Sequence, residues 1–481
     1  MATAQVNTQR TRLRKQLRGF VILWLGITFM MGACTFFAIF WVLGETGLVG
    51  GASGRNFALP TNMPTQVAIV NPTALPAVPT QAAQSVLPTD APTTEAAAVA
   101  LAATVTEAPT QGPTNTPLPV SNKSFQPGIQ VQYSPDLNPK NQDNWMREVS
   151  QKLGLKWFKH QVRWEDTEPE KGKFDWSILD MVMTSKNQFN LNIMMSIVTA
   201  PKWARESGAD LNKQGPPANN ADYVNFVSEI LKRYPGQVQA IEVWNEENID
   251  REWSSTRGLK AENYVSLLKD TYTAVKAIDP GVVIISGALS PTGFNDGVGA
   301  WDDYIYLDQL ITAGLLNYVD CVGVHHNGYN IGPNVPWDNV PPDPKASFRG
   351  PFDNPHHSWS FYSTLQTYAK KVALAGGQQK LCITEFGWAS TEDLGGYPKG
   401  FEFANDNTLQ EQSDYIIQAL DLMKQWNFVQ LAFIWNFNYG PQAGWATDND
   451  NVPYSIIGKD WKFRPAYDAI IKWSKDQATT P

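Results

Sequence analysis

The sequence lacks several features that define particular classes of protein. It has only three cysteines among 481 residues, Cys34, Cys321 and Cys382, and these form no framework of disulfides. Its formal net charge is -8 with the acidic residues spread along the chain, so it lacks the basic face that nucleic acid requires. These absences exclude a disulfide-rich scaffold and argue against a nucleic-acid partner.

Residues 45–124 lack what a folded core needs. From Ala58 to Ser124 there is no aromatic residue and hardly any charge, and proline, threonine and alanine dominate. Such a segment cannot bury enough apolar surface to offset the entropy that ordering would cost. We therefore predict a disordered linker over residues 45–124, extended and semi-rigid because of its prolines.

The N-terminus, in contrast, has a long hydrophobic run. Residues 1–18 carry five cations and no acid, and residues 19–44 are almost free of polar groups. About 20 apolar residues span a bilayer, and preceding cations favour a cytoplasmic N-terminus. We predict a basic cytoplasmic tail at 1–18 and a single transmembrane helix at 19–44, with the remainder extracytoplasmic. The alternative is a cleaved signal peptide, since small residues follow at 50–54, although the apolar run exceeds the usual length.

Residues 125–475 alternate between short apolar segments, which we read as strands, and amphipathic segments, which we read as helices. We predict a short C-terminal tail at residues 476–481. Eight candidate strands precede helical segments such as Ala221–Tyr234 and Leu409–Trp426. This alternation predicts an α/β fold, a (β/α)₈ TIM barrel. An open doubly wound sheet would usually carry a glycine-rich turn after its first strand, and Tyr133-Ser134-Pro135-Asp136 is not one. The strands are predicted at 128–133, 156–162, 192–198, 239–244, 282–286, 321–325, 380–385 and 429–436.

Two of these strands end in a glutamate. Glu246 follows the run Val238–Val243 within Trp-Asn-Glu-Glu-Asn, and Glu385 ends the run Lys380–Thr384 beside Phe-Gly-Trp. The carboxyl ends of barrel strands hold the functional residues of this fold. Two carboxyl groups at such positions suit glycoside hydrolysis with retention, in which one donates a proton and the other attacks the sugar.

Taken together, these stretches resemble the clan of retaining (β/α)₈-barrel glycoside hydrolases, of which cellulase-like family 5 and xylosidase-like family 39 are the most similar. The resemblance covers residues ~125–475. It implies that Glu246 is the acid/base and Glu385 the nucleophile. Other matches are Trp164–Trp176, Ala200–Trp203, Asp320–Tyr329 and Arg464–Tyr467. The implied substrate-binding residues are Asn245, Lys159, His325, Tyr329, Trp435, Trp203 and Trp388.

The chain departs from the clan's pattern at two positions. Glu247 stands where a proline usually follows the Asn-Glu pair, and on a strand it would point away from Glu246, so we expect little effect. Lys159 stands where the clan has an arginine beside the nucleophile. Lysine keeps the charge but loses the planar fork of the guanidinium group.

We expect no metal and no cofactor. Adjacent histidines on a strand point to opposite faces, so His325-His326 and His356-His357 would not easily chelate one ion. If His325 and Glu385 both face the barrel mouth, the alternation of ideal strands turns Cys321 inward and Cys382 outward. We therefore expect no disulfide between these two cysteines.

The sequence thus predicts a membrane-anchored, extracytoplasmic glycosidase that hydrolyses β-linked oligo- or polysaccharides. The alternatives are a catalytically inactive carbohydrate-binding barrel and an envelope-tethered sensor domain. The loops Asp250–Arg257, Asn330–Asn354 and Thr391–Asn407 are expected to set the substrate, since binding residues concentrate in such loops.

Overall fold

A computed structural model describes residues 124–344, Ala346, Arg349 and residues 356–479. The predicted cytoplasmic tail, transmembrane helix and nearly all of the linker lie outside these residues and stay predictions. Among the helices that are described, none is long and apolar enough to cross a membrane.

Eight parallel strands form a closed barrel in which each strand pairs with its neighbours in sequence and β1 also pairs with β8. The predicted (β/α)₈ architecture is confirmed. The strands are β1 (Gln126–Gln130), β2 (Trp157–Arg163), β3 (Asn192–Val198), β4 (Ala240–Val243), β5 (Val283–Ser286), β6 (Cys321–Gly328), β7 (Lys380–Trp388) and β8 (Val429–Ile434).

One long helix follows each strand. The helices are α1 (Pro139–Arg147), α2 (Ser177–Gln188), α3 (Asn220–Arg233), α4 (Ala261–Ile278), α5 (Asp303–Thr312), α6 (Phe361–Leu374), α7 (Leu409–Trp426) and α8 (Pro465–Thr479). Local signals fix several of their ends. Thr408 and Glu411 form a reciprocal capping box that begins α7, and Asn427 in the left-handed region ends it.

The lower barrel is filled by side chains from alternating strand positions. Met194, Ala240, Ile285 and Leu431 pack there with Phe433 in one buried cluster. A second, larger cluster lies between the strands and the helices, which explains why the strands read as continuous apolar runs. The barrel is therefore a packed core below its upper, C-terminal end.

Cys321 and Cys382 are joined by a disulfide, so the expectation of no bridge was wrong. The reason is a shift of register between β6 and β7. Val324 pairs with Ile383 but His325 pairs with Glu385, which leaves Thr384 as an extra residue in β7. This bulge breaks the alternation that the expectation assumed, so Cys382 and Glu385 both face the barrel interior although they are an odd number of residues apart.

Candidate active site

Glu246 is held by a tight turn that begins where β4 ends. Trp244 and Glu246 both have positive φ angles, 75° and 47°, which non-glycine residues adopt at a cost of ~1–3 kcal/mol each. The Glu246 N–H donates to the Ala288 carbonyl at 2.9 Å. Asn248 anchors the end of the turn, since its side chain accepts from the Ser290 N–H at 2.9 Å and donates to the Ser290 carbonyl. The turn thereby directs a buried Glu246 carboxyl into the barrel mouth.

Glu385 lies on β7 beside a buried cation. The Lys159 ammonium donates to Glu385 Oε1 at 2.8 Å and lies 3.5 Å from Glu242 Oε2. Burial alone would lower the pKa of Lys159, but the charges of Glu242 and Glu385 outweigh it and raise that pKa. Lys159 is therefore a permanent cation between two carboxylates, with none of the three side chains more than 2% exposed.

His325 connects the two predicted catalytic glutamates. Its Nδ1 lies 3.1 Å from Glu246 Oε1, and its Nε2 lies 3.9 Å from Glu385 Oε1. Burial lowers the pKa of His325, although Glu385 opposes this effect. The imidazole is thus neutral near pH 7 and brings Glu246 and Glu385 to opposite sides of one ring.

Glu246 has the protonation behaviour that a general acid requires. Burial raises the pKa of Glu246 to about 7, and the charge of Arg251 only partly opposes this shift. The Arg251 guanidinium lies 3.2 Å from Glu246 Oε2 and 3.0 Å from Glu252 Oε1. Glu385 has the Lys159 ammonium at hydrogen-bonding distance. Each carboxyl group therefore has one cation in contact, and burial raises the pKa of Glu246 in spite of Arg251.

Replacing Arg251 with Met is expected to move the basic limb of the kcat/KM profile upward by roughly one pH unit. The cation stabilises the Glu246 carboxylate, so its removal raises the pKa of Glu246 and keeps the acid protonated to higher pH. The profile would be measured with any glycoside that the enzyme hydrolyses. Lys213→Met is the matched control, because Lys213 pairs with Asp250 in the same loop region. An unchanged limb in the Arg251 variant would rule out Glu246 as the group that titrates.

Several buried polar atoms near the barrel mouth have no hydrogen-bond partner within the described residues. They are Asn245 Oδ1, His325 Nε2, Glu385 Oε2 and Trp435 Nε1. Buried polar groups are normally paired, and a cluster of unpaired ones calls for an explanation. Asn245 and Trp435 follow the ends of β4 and β8, Glu385 lies on β7, and His325 lies on β6 between the glutamates. A ligand rich in hydroxyl groups could both donate to and accept from this set.

The structure separates the predicted aromatic binding residues. Trp435 and Tyr329 share a buried cluster with Phe403 and Tyr454 above the barrel. Trp388 does not belong there, since its indole N–H donates to the Ile331 carbonyl at 2.9 Å and its ring packs in the core between strands and helices. Trp388 was predicted to stack on the substrate. Its position on β7 directs its ring away from the barrel interior, so the structure assigns it to core packing instead.

Trp203 lies in the loop region after β3 and is only partly buried. Its N–H donates to the Glu168 carbonyl at 3.0 Å, and its ring meets Trp164 edge-on. The Lys171 ammonium covers one face at 5.3 Å from the ring centroid. These contacts make Trp203 part of the packing between the loops after β2 and β3, and no described contact joins it to either glutamate.

Sequence reasoning missed three residues of the site. Glu242 accepts from Thr384 Oγ1 at 2.6 Å and faces Lys159. Arg251 contacts Glu246. Burial and the charge of Asp450 are the larger causes of the raised pKa of Tyr454, and the charge of Glu385 adds to them. A signal existed for Glu242, because an acid within a buried strand requires a cationic partner. Tyr454 comes from the loop after β8, and no local pattern indicated it.

Glu247 is more enclosed than expected. Its side chain is fully buried against Gly287, and neither carboxyl oxygen has a hydrogen-bond partner among the described residues. Burial raises the pKa of Glu247 well above its usual value. The residue is therefore a neutral acid in the wall behind the turn, so its replacement of the clan's proline adds no charge at the barrel mouth.

The fold and the site together describe a closed (β/α)₈ barrel with one glutamate after β4 and another on β7. The family model described as beta-galactosidase, glycoside hydrolase family 42, matches residues 132–222. That match includes β2 and β3 but neither glutamate. A search of curated proteins found no match.

Solved structures show the same fold. A family 39 glycoside hydrolase from Bacteroides cellulosilyticus WH2 is 17% identical over 74% of this chain, with a TM-score of 0.51. The chain covers 64% of that protein, less than two thirds of its length. Xylanase 10B from Thermotoga petrophila RKU-1 is 14% identical over 74% of this chain and 95% of its own, with a TM-score of 0.50. At these identities the matches show that the chain shares the (β/α)₈ fold of both proteins.

Proposed function

We propose that the chain is a retaining glycoside hydrolase that cleaves β-linked glycans by double displacement, with Glu246 as acid/base and Glu385 as nucleophile. One observation carries the proposal. Glu246, whose pKa burial raises to about 7, and Glu385 lie beside the two nitrogens of the His325 ring, at 3.1 and 3.9 Å. This is the pairing that acid catalysis and nucleophilic attack require.

In the first step, the Glu385 carboxylate attacks the anomeric carbon while the glycosidic C–O bond breaks. Glu246 gives its proton to the departing oxygen, so the leaving group departs as an alcohol. Lys159 donates to Glu385 Oε1 at 2.8 Å and orients this carboxylate, which leaves Oε2 to attack. Asn245 is placed to bind a sugar hydroxyl with its unpaired carbonyl oxygen.

In the second step, the ionised Glu246 takes a proton from water, and the resulting oxygen nucleophile attacks the anomeric carbon. The bond to Glu385 breaks and its carboxylate returns to the Lys159 ammonium. Two inversions at the same carbon give net retention. Glu246 is again protonated at the end of the cycle, so the enzyme is ready for another turnover.

We further propose that residues 19–44 anchor the protein in a membrane and that the barrel lies outside the cytoplasm. The support is the apolar run with five preceding cations. The Cys321–Cys382 disulfide is compatible with this location, because disulfides persist mainly in oxidising compartments. A linker between anchor and barrel would let the enzyme reach glycans beyond the membrane surface.

A panel of β-linked polysaccharides and aryl β-glycosides tests the proposed activity. The purified full chain is expected to release reducing sugar or aryl alcohol from at least one of them. The Glu246→Gln and Glu385→Gln variants serve as controls for contaminating enzymes. Binding of a glycan without cleavage by the parent would favour the inactive carbohydrate-binding barrel. Neither binding nor cleavage across the panel would favour the sensor domain.

A further inference from the structure

Three side chains from two loops converge beside the N-terminus of α5. Asp302 directly precedes this helix, while His356 and His357 begin the short turn that leads to α6. The Asp302 Oδ2 atom lies 2.8 Å from His357 Nε2 and 3.6 Å from His356 Nε2. All three potential ligand atoms lie within 4.8 Å of one another.

We propose that Asp302, His356 and His357 form a divalent metal site of the zinc type that ties the loop after β5 to the loop after β6. Two imidazole nitrogens and one carboxylate oxygen are a ligand set that zinc accepts, with water in the fourth position. Imidazole ligands favour zinc, nickel or copper over calcium and magnesium, which prefer oxygen. The ion would take the place of the proton that now joins His357 to Asp302.

The turn geometry removes the objection that adjacent histidines diverge. His325 and His326 do diverge on β6, since His325 faces Glu246 and His326 Nε2 faces the Ser358 carbonyl. His356 and His357, however, lie at a 3₁₀ turn, and their ring centroids are 4.2 Å apart. The argument from strand alternation therefore applies to the first pair and does not apply to the second.

Outer contacts orient each proposed ligand atom. Asp302 Oδ1 accepts from the N–H groups of Tyr304 and Ile305 at 3.0 and 3.2 Å, so Oδ2 is the oxygen directed at the histidines. The His356 Nδ1 lies 2.9 Å from Ser358 Oγ. Nδ1 also accepts from the Ser358 N–H at 3.2 Å, and these contacts fix the orientation of the His356 ring.

His357 has corresponding support. Its ring stacks on Tyr304 with 3.6 Å between centroids, and its Nδ1 lies 3.8 Å from Asp303 Oδ1. At this distance the carboxylate is not hydrogen-bonded to the ring, and His357 Nδ1 has no hydrogen-bond partner within the described residues. The side chains of Asp302, His356 and His357 are 11%, 26% and 12% exposed, so an ion and a water ligand can enter from solvent.

Titration calorimetry on the full chain, prepared without a polyhistidine tag and treated with chelator, tests the proposal. Zinc chloride is expected to bind with one-to-one stoichiometry, whereas calcium chloride is expected to give no heat of binding. Asp302→Asn should weaken zinc binding by at least about tenfold while it keeps an acceptor for the helix N–H groups. Asp308→Asn, on the exposed part of the same helix, is the matched control and should bind zinc as the parent does.

X-ray absorption of the zinc-loaded parent gives a second readout that needs no variant. Two imidazole nitrogens in the first coordination sphere are expected, with the remaining ligands oxygen. Failure of the parent to bind zinc would overturn the proposal and leave an ordinary hydrogen-bonded pair of Asp302 and His357. Equal binding by the Asp302→Asn variant, or a sphere with fewer than two imidazoles, would also overturn it.

Discussion

Glu385→Gln is expected to lower kcat for every hydrolysed glycoside by at least about 10⁴-fold, because the amide cannot attack the anomeric carbon. Glu246→Gln is expected to lower kcat by about 10²–10⁴-fold for substrates whose leaving group needs a proton. The two losses should differ in their dependence on the leaving group. A dinitrophenyl glycoside departs without protonation, so the Glu246 variant should form the glycosyl-enzyme from it at close to the parent's rate.

Pre-steady-state kinetics with aryl glycosides of graded leaving-group acidity measures this difference. The Glu246 variant should show a burst of phenol with the dinitrophenyl substrate, followed by slow turnover. Glu206→Gln is the matched control, because this buried glutamate contacts Thr256 and Arg257 outside the barrel mouth and should leave kcat nearly unchanged. If both site variants lost activity equally for all leaving groups, the roles assigned to the two residues would be contradicted.

Lys159→Met is expected to lower the free energy of unfolding by about 3–5 kcal/mol, the usual result of leaving a buried charge unpaired. The substitution preserves most of the side-chain volume. It leaves the Glu242 and Glu385 carboxylates without the cation between them, so their negative charges repel each other. Both are almost fully buried, so water cannot easily compensate. Denaturant unfolding followed by circular dichroism would measure the change.

The double variant Lys159→Met/Glu242→Gln separates the electrostatic effect from lost packing. Removing one of the two carboxylates should restore part of the stability that Lys159→Met loses, although activity should remain low because Glu385 still lacks its cation. Lys213→Met is the control on an exposed pair and should change stability by about 0.5 kcal/mol or less. No recovery in the double variant would show that the lysine stabilises the fold through packing alone.

The barrel could be predicted because its strands are buried on both faces. Runs such as Asn192–Val198 and Lys380–Thr384 are continuous and apolar, and amphipathic helices separate them. The predicted bounds of Leu409–Trp426 agree with α7, and those of Ala221–Tyr234 differ from α3 by one residue at each end. The positions of Glu246 and Glu385 at the barrel mouth follow from the same pattern, since parallel strands bring their carboxyl ends together.

What the sequence could not indicate depends on backbone irregularities and on distant loops. The extra residue in β7 places Cys382 and Glu385 on the same side, and nothing in Lys380–Trp388 marks it. The 3₁₀ turn at His356 likewise departs from strand geometry, and it brings the rings of two adjacent histidines together. Arg251 and Tyr454 reach the site from loops whose course is set by packing across the whole barrel.

Trapping the covalent intermediate tests the central claim most directly. An activated 2-deoxy-2-fluoro β-glycoside of the preferred sugar would be incubated with the full chain, because the fluorine slows both steps and the good leaving group lets the first proceed. Peptide mass spectrometry is expected to find the glycosyl group on Glu385, with activity lost in proportion to labelling. A label on another residue, or a first product with inverted anomeric configuration, would contradict the proposed mechanism.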